Sequence, residues 1–187
     1  MQTELNLPFR EFVELFEALQ IPYALIGGLA VSVHGIPRPT HDLDFTIALA
    51  RDRTSLLFDA AVELGYSVSD EFINGWVDQV GGLPLIRVRK WVRGGSIDVD
   101  IFLAESRFQA SLLARSARVE VDGVPSQVAS PEDLILLKLI ASRPRDIGDV
   151  MDIFLAQGQL DETYLRHWAT ELGVLDQLNH VMSDIEF

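Results

Sequence analysis

Asp42 and Asp44 stand two residues apart in the run HDLDFTI, and Asp98 and Asp100 repeat that spacing in SIDVDIFL. Alternate side chains of a β-strand share a face, so each pair sets two carboxylates about 7 Å apart on one side. Carboxylates held that close repel one another unless a cation sits between them. A hard divalent cation, Mg²⁺ or Mn²⁺, meets that need, because both prefer oxygen ligands. The plainer reading of a single such pair is a solvent-facing strand with alternating acids. Upstream, Gly27 and Gly28 follow the apolar run YALI and precede LAVSVH. Strand, Gly-Gly, helix leaves backbone N–H groups free at a helix N-terminus, where an anion is favoured and no Cβ obstructs its approach. Two acidic strand faces beside an anion-ready turn form a constellation that neither feature makes alone.

These residues need a sheet to hold them. The apolar run 23–26 predicts a short buried strand, and Leu29 to His34 a two-turn helix stopped by Gly35. Residues 42–49 predict a strand, and Thr54 to Leu64 an amphipathic helix ending at Gly65. Strands over 85–92 and 96–103 are joined by Arg93-Gly94-Gly95, with Ile97, Val99 and Ile101 filling the face opposite the acids. RVEVDGVPSQV holds a second hairpin turning at Asp122-Gly123. An opening helix starts at Asn6 and Pro8 and presents Phe9, Phe12, Val13, Phe16 and Leu19. From Ser130 the pattern is helical: Ser130-Pro131-Glu132-Asp133 combines an N-cap, a first-position Pro and an acid at N3. Helices then follow over 146–156, 162–172 and 175–185. The expected fold class is α+β (mixed α/β): a mixed β-sheet flanked by helices, then a C-terminal helical bundle. The expected division is a catalytic domain over 1–128 and a helical subdomain over 129–187 packed on it.

The whole chain sets bounds. Its 187 residues, 48% hydrophobic, suffice for one sizeable core. Nothing approaches the ~18 apolar residues of a membrane span, and the N-terminus lacks a signal-peptide layout, so no membrane partner is expected. There is no cysteine, which excludes disulfides and thiolate metal sites and agrees with a cytoplasmic setting. The net charge of −13 argues against a broad nucleic-acid-binding face but leaves room for a local basic groove.

The order Gly27-Gly28, then Arg38-Pro39-Thr40-His41-Asp42-Leu43-Asp44, then Asp98 or Asp100 resembles the nucleotidyltransferase superfamily with the polymerase-beta-type fold. The run SPEDLILLKLIASRPRDIGDVMDI, residues 130–153, is similar to the branch holding abortive-infection, type IV toxin nucleotidyltransferases. The resemblance implies a metal-dependent enzyme that moves NMP from ATP or another NTP to a hydroxyl acceptor and releases pyrophosphate. It assigns Asp42, Asp44 and Asp100 to Mg²⁺ (or Mn²⁺), with Asp98 close behind Asp100 as the third acid. It assigns Gly27, Gly28, Arg38, Thr40, Lys138 and Asp146 (or Asp149) to the nucleotide. Many relatives carry Ser after the glycine; here Leu29 follows the pair, so only backbone donors remain.

Each residue also has an ordinary reading. Lys138 in LILLKLI either binds triphosphate or snorkels to solvent. Arg38 contacts phosphate or salt-bridges a local acid, and Asp146 with Asp149 also reads as a helix cap. His34 and His41 read as a packed helix-end and a strand-start residue. Arg87, Arg89, Lys90 and Arg93 surround Trp91, which either receives an RNA end or lies in the core of a solvated hairpin. The acceptor is therefore a tRNA, with the protein acting as a toxin beside an antitoxin protein, or a small cationic molecule of the antibiotic kind. A catalytically silent nucleotide-binding module is the third possibility, and the intact acids argue against it.

Overall fold

The computed structural model describes residues 3–74, 78–80, 82–93 and 95–185. Helix α1 (Thr3–Ala18) leads into β1 (Tyr23–Ile26), α2 (Gly27–His34) and β2 (Asp42–Ile47). Then come α3 (Thr54–Glu63), β3 (Ser67–Val68), the single turn α4 (Asp70–Ile73), β4 (Asp78–Val80), and the long hairpin β5 (Leu83–Val92) and β6 (Gly95–Leu103). Helix α5 (Arg107–Arg115) precedes a second hairpin, β7 (Ala117–Val121) and β8 (Val124–Val128). Four helices close the fold: α6 (Pro131–Ala141), α7 (Pro144–Ala156), α8 (Glu162–Glu171) and α9 (Leu175–Ile185).

The mixed α+β class follows the sequence expectation. Strands run in the order β3-β5-β6-β2-β1-β8-β7, with β4 added to β5. The central pairing is parallel: β2 lies beside β6 so that Asp42 faces Asp98 and Asp44 faces Asp100. On the outer side, β5 runs antiparallel to β6, which sets Arg87 against Asp100 and Arg89 against Asp98. On the inner side, β1 is antiparallel to β2 and brings Ile26 beside Asp44.

Alternation along the strands divides the two faces. Leu43 and Phe45 are fully buried, as are Val99 and Ile101, and Phe45 packs against Phe9, Phe12 and Phe16 of α1. That apolar face anchors the sheet and leaves the acids on the other face. Helix α1 begins at Thr3, ahead of the expected start. Pro8 removes one helical hydrogen bond, yet burial of Leu5 one turn before Phe9 keeps the earlier turn in register. Helix α5 had no counterpart in the sequence reading. Its Ser106–Gln109 capping box, in which Ser106 Oγ accepts from the Gln109 N–H, marks its start. Among the described residues, no helix is long and apolar enough to cross a membrane.

Candidate active site

The chain leaves β1 through Gly27, whose φ of +66° lies in the left-handed region. A Cβ there would collide with the Asp44 carboxylate, so glycine is what lets the turn close over the acid. A Cβ on Gly28 would lie 2.8 Å from Thr40 Oγ1. Thr40 is itself buried and donates to Asp42 Oδ1 at 2.8 Å, fixing that carboxylate. Helix α2 begins at these glycines with no side-chain cap on its first N–H groups.

The four strand acids stand in very different fields. Burial pushes the Asp44 carboxyl up to about 7, and repulsion from Asp42 and Asp100 adds to it; Lys138 and Arg143 pull the other way. Asp100 is only 8% exposed, and both its oxygens are taken by Arg87, with Nε at 2.5 Å and Nη2 at 2.7 Å. Arg89 clamps Asp98 in the same way, at 2.5 and 2.8 Å. That hydrogen-bonded pair holds the Asp98 carboxyl below its ordinary range, against partial burial.

A third side of the site comes from the helices. Lys138 of α6 is 5% exposed and donates to Asp146 Oδ1 at 3.2 Å, with Asp149 Oδ2 at 2.7 Å. It does not snorkel, because α7 packs over it and supplies two acids. Arg38 reaches the same Asp149 with two bonds, 2.6 and 2.8 Å, and Arg143 pairs with Asp146 at 2.7 Å. Burial raises both α7 carboxyls, but these cations outweigh it and leave each below its usual range. Asp146 also accepts the Arg143 backbone N–H, so the capping contact expected of it is present, whereas Asp149 serves Arg38 and Lys138.

Between these elements lies a cavity of about 270 Å³. Gly27, Gly28, Arg38, Thr40, Asp42, Asp44, Asp100 and Lys138 all line it. Asp98 and Asp146 do not: the first faces Arg89, the second stands behind Lys138. The sequence reading missed Arg143 and Arg145 as lining residues, although both lie in the run SRPRD that follows the lysine helix. His41 lines the mouth, and His34 Nε2 lies 2.9 Å from the Ala129 carbonyl oxygen, as a packed helix-end residue would. Trp91 is not a core residue; it is 71% exposed at the end of β5.

A divalent cation fits part of this donor set. Asp42 and Asp44 are adjacent oxygen ligands whose repulsion it would relieve, and that repulsion adds to the burial that raises the Asp44 carboxyl. Among the described residues, no three acids or histidines converge as a ready-made metal cluster, since Asp100 already has Arg87 as its counter-ion.

A family model described as the nucleotidyl transferase AbiEii toxin of type IV toxin–antitoxin systems matches residues 12–171. The chain belongs to the AbiEii family. It is accordingly a nucleotidyltransferase. No curated protein sequence matches it. Solved structures share this chain's fold at low identity. The solution structure of the antibiotic-resistance factor ANT(2'')-Ia is 15% identical with a TM-score of 0.59, covering 96% of this chain and 99% of that one. An antigenic nucleotidyltransferase-like protein from Paracoccidioides brasiliensis is 18% identical at 0.53, covering 94% and 91%. The lincosamide adenylyltransferase LnuA is 14% identical at 0.51, covering 84% and 98%.

Proposed function

We propose that this AbiEii-family chain is a metal-dependent enzyme that transfers NMP from an NTP to a hydroxyl of a tRNA and is neutralised in the cell by a cognate antitoxin. The observation that supports this reading is the juxtaposition of Asp44 and Asp100 on parallel strands, with Gly27 closing over Asp44. Asp42 and Asp44 would hold Mg²⁺ or Mn²⁺. When bound, the cation supplies positive charge to the triphosphate and the departing pyrophosphate.

The chain's own residues do the rest. The Gly27-Gly28 main chain and the N-terminus of α2 donate N–H groups to phosphate oxygens, while Lys138 and Arg143 supply charge from the opposite wall. Asp100 accepts the proton of the attacking hydroxyl. Each of its oxygens keeps a second lone pair beside the one given to Arg87. The new bond joins the acceptor oxygen to the α-phosphorus, the bond to pyrophosphate breaks, and the proton leaves on Asp100.

A small cationic acceptor of the antibiotic kind is the second reading, favoured by the net charge of −13 and by the adenylyl-tobramycin carried by one structural neighbour. The deciding experiment incubates the protein and Mg²⁺ with each labelled NTP, supplying total tRNA in one arm and an aminoglycoside panel in another. Label in tRNA supports the first reading, and label confined to an aminoglycoside replaces it with the second. No label with any NTP in the presence of either acceptor or whole lysate overturns both.

A further inference from the structure

The outer strand β5 carries Arg87, Arg89 and Trp91 at alternate positions, so all three stand on the acidic face of the sheet. The intervening Lys90 turns to the opposite face, where it meets both oxygens of Glu11 at 2.8 Å and lies over the Tyr66 ring. Trp91 is therefore exposed while its neighbour is tied down. Its ring holds a guanidinium, with Arg89 Cζ 5.8 Å from the centroid. Arg93 adds a further exposed cation at the hairpin turn.

We infer that Trp91 and Arg89 form a shelf that holds the acceptor strand behind its reacting end, by stacking a base on the indole and engaging a phosphate with the guanidinium. This rests on the nucleotidyl-transfer reading above and assigns the acceptor a binding site outside the cavity. Arg87 lines the cavity, and Trp91 is four residue rises further along the strand, about 13 Å away. An acceptor touching both must span that distance. Charge points the same way. Asp98 and Asp100, which would draw a polycation to this face, each have their charge balanced by a bidentate arginine. Those pairs use Nε and Nη2, leaving Nη1 of Arg87 and Arg89 outside them and able to donate to a phosphate oxygen. An exposed aromatic beside guanidinium edges is the chemistry that grips single-stranded nucleic acid with little regard to sequence.

The test measures binding of a short, mixed-sequence, fluorescein-labelled oligoribonucleotide to the whole protein by anisotropy, with neither NTP nor metal present. Its outcome is thus separate from whether transfer occurs. Trp91→Ala should weaken binding about tenfold or more, the scale of one lost base stack, while Trp91→Phe stays within a few-fold of wild type. With about two phosphate contacts, the slope of log affinity against log salt should be shallow, roughly −1.4. Affinity for a non-hydrolysable ATP analogue should be unchanged in Trp91→Ala. Equal oligoribonucleotide binding by wild type and Trp91→Ala, or none by wild type, overturns the shelf. Parallel loss of both ligands assigns Trp91 to folding and overturns it as well. So does tighter, Trp91-dependent binding of spermine than of the oligoribonucleotide.

Discussion

Strands β2 and β6 carry the same acid–x–acid pattern side by side, yet the two pairs are opposites electrostatically. On β6, Asp98 and Asp100 each receive a two-bonded guanidinium from β5. On β2, Asp42 has a threonine hydroxyl, and Asp44 has buried surroundings and two acidic neighbours. A carboxylate with its own arginine is a settled ion pair. A carboxylate pushed up to about 7 by burial and like charge is one without such a partner. Identical spacing therefore produces one neutralised pair and one frustrated pair. The difference lies in which strand lies alongside: β5 brings arginines to β6, while β1 sets the apolar Ile26 and the glycine turn beside Asp44.

Four perturbations break or sharpen this contrast. The largest effect belongs to the frustrated pair. Asp44→Asn should lower transfer by about a thousandfold or more, since a bound metal supplies several kcal/mol of transition-state stabilisation. The same variant should melt at a higher temperature than wild type in EDTA, because it removes a repelled carboxylate. Rapid-quench assays and thermal scans read the two effects, and a variant with near wild-type turnover would remove Asp44 from the centre.

Asp100→Asn comes next, with a fall of about 10²–10⁴ in rate and little change in NTP affinity. Asp98→Asn should cost only a few-fold, because Asp98 faces Arg89 rather than the cavity. Reversed severities in single-turnover assays would exchange the two roles.

Gly27→Ala tests the turn that closes over Asp44. Left-handed backbone costs a non-glycine residue about 1–2 kcal/mol, or roughly 2–8 °C in melting temperature for a chain of this size. Collision with the carboxylate adds to that. Gly28→Val should be milder for the fold and should weaken NTP binding, measured by calorimetry.

The last perturbation is pH. Because the native Asp44 carboxyl titrates near 7 and the unfolded one near 3.8, the native state binds more protons between those values. Metal-free protein should therefore lose stability as pH rises from about 4 to about 7 and level off above. Asp44→Asn should flatten that slope, and Mg²⁺ should raise the melting temperature more at pH 8 than at pH 5. A metal-free profile identical in wild type and variant would show that Asp44 is not the titrating group.

How much of this was legible in the sequence follows from range of interaction. The glycines, both acid pairs and Lys138 were legible because strand alternation and a helix start are local properties. Thr40 and Arg38 entered through motif resemblance, and the structure gives them distinct partners, Asp42 and Asp149. The arginine clamps were not legible: that Arg87 meets Asp100 depends on hairpin register, which one residue of slip would invert. For the same reason Trp91 could not be assigned to either face of its hairpin. Lys138 looked able to escape to water because an apolar helix says nothing about the later helix that covers it. Helix α5 did carry a local signal, the Ser106–Gln109 box, but few buried apolar positions follow it.

The bridge from Arg38 to Asp149 joins residues 111 positions apart, and Lys138 completes it from α6. During synthesis at about 5–20 residues per second, the β2 acids emerge roughly 5–20 s, and the β6 acids roughly 2–10 s, before the helix that backs the lysine. Throughout that interval the growing chain carries its carboxylates without the opposite wall of their cavity. The cavity is thus complete only once α6 and α7 have been made and packed against the sheet, long after its floor of strand acids exists.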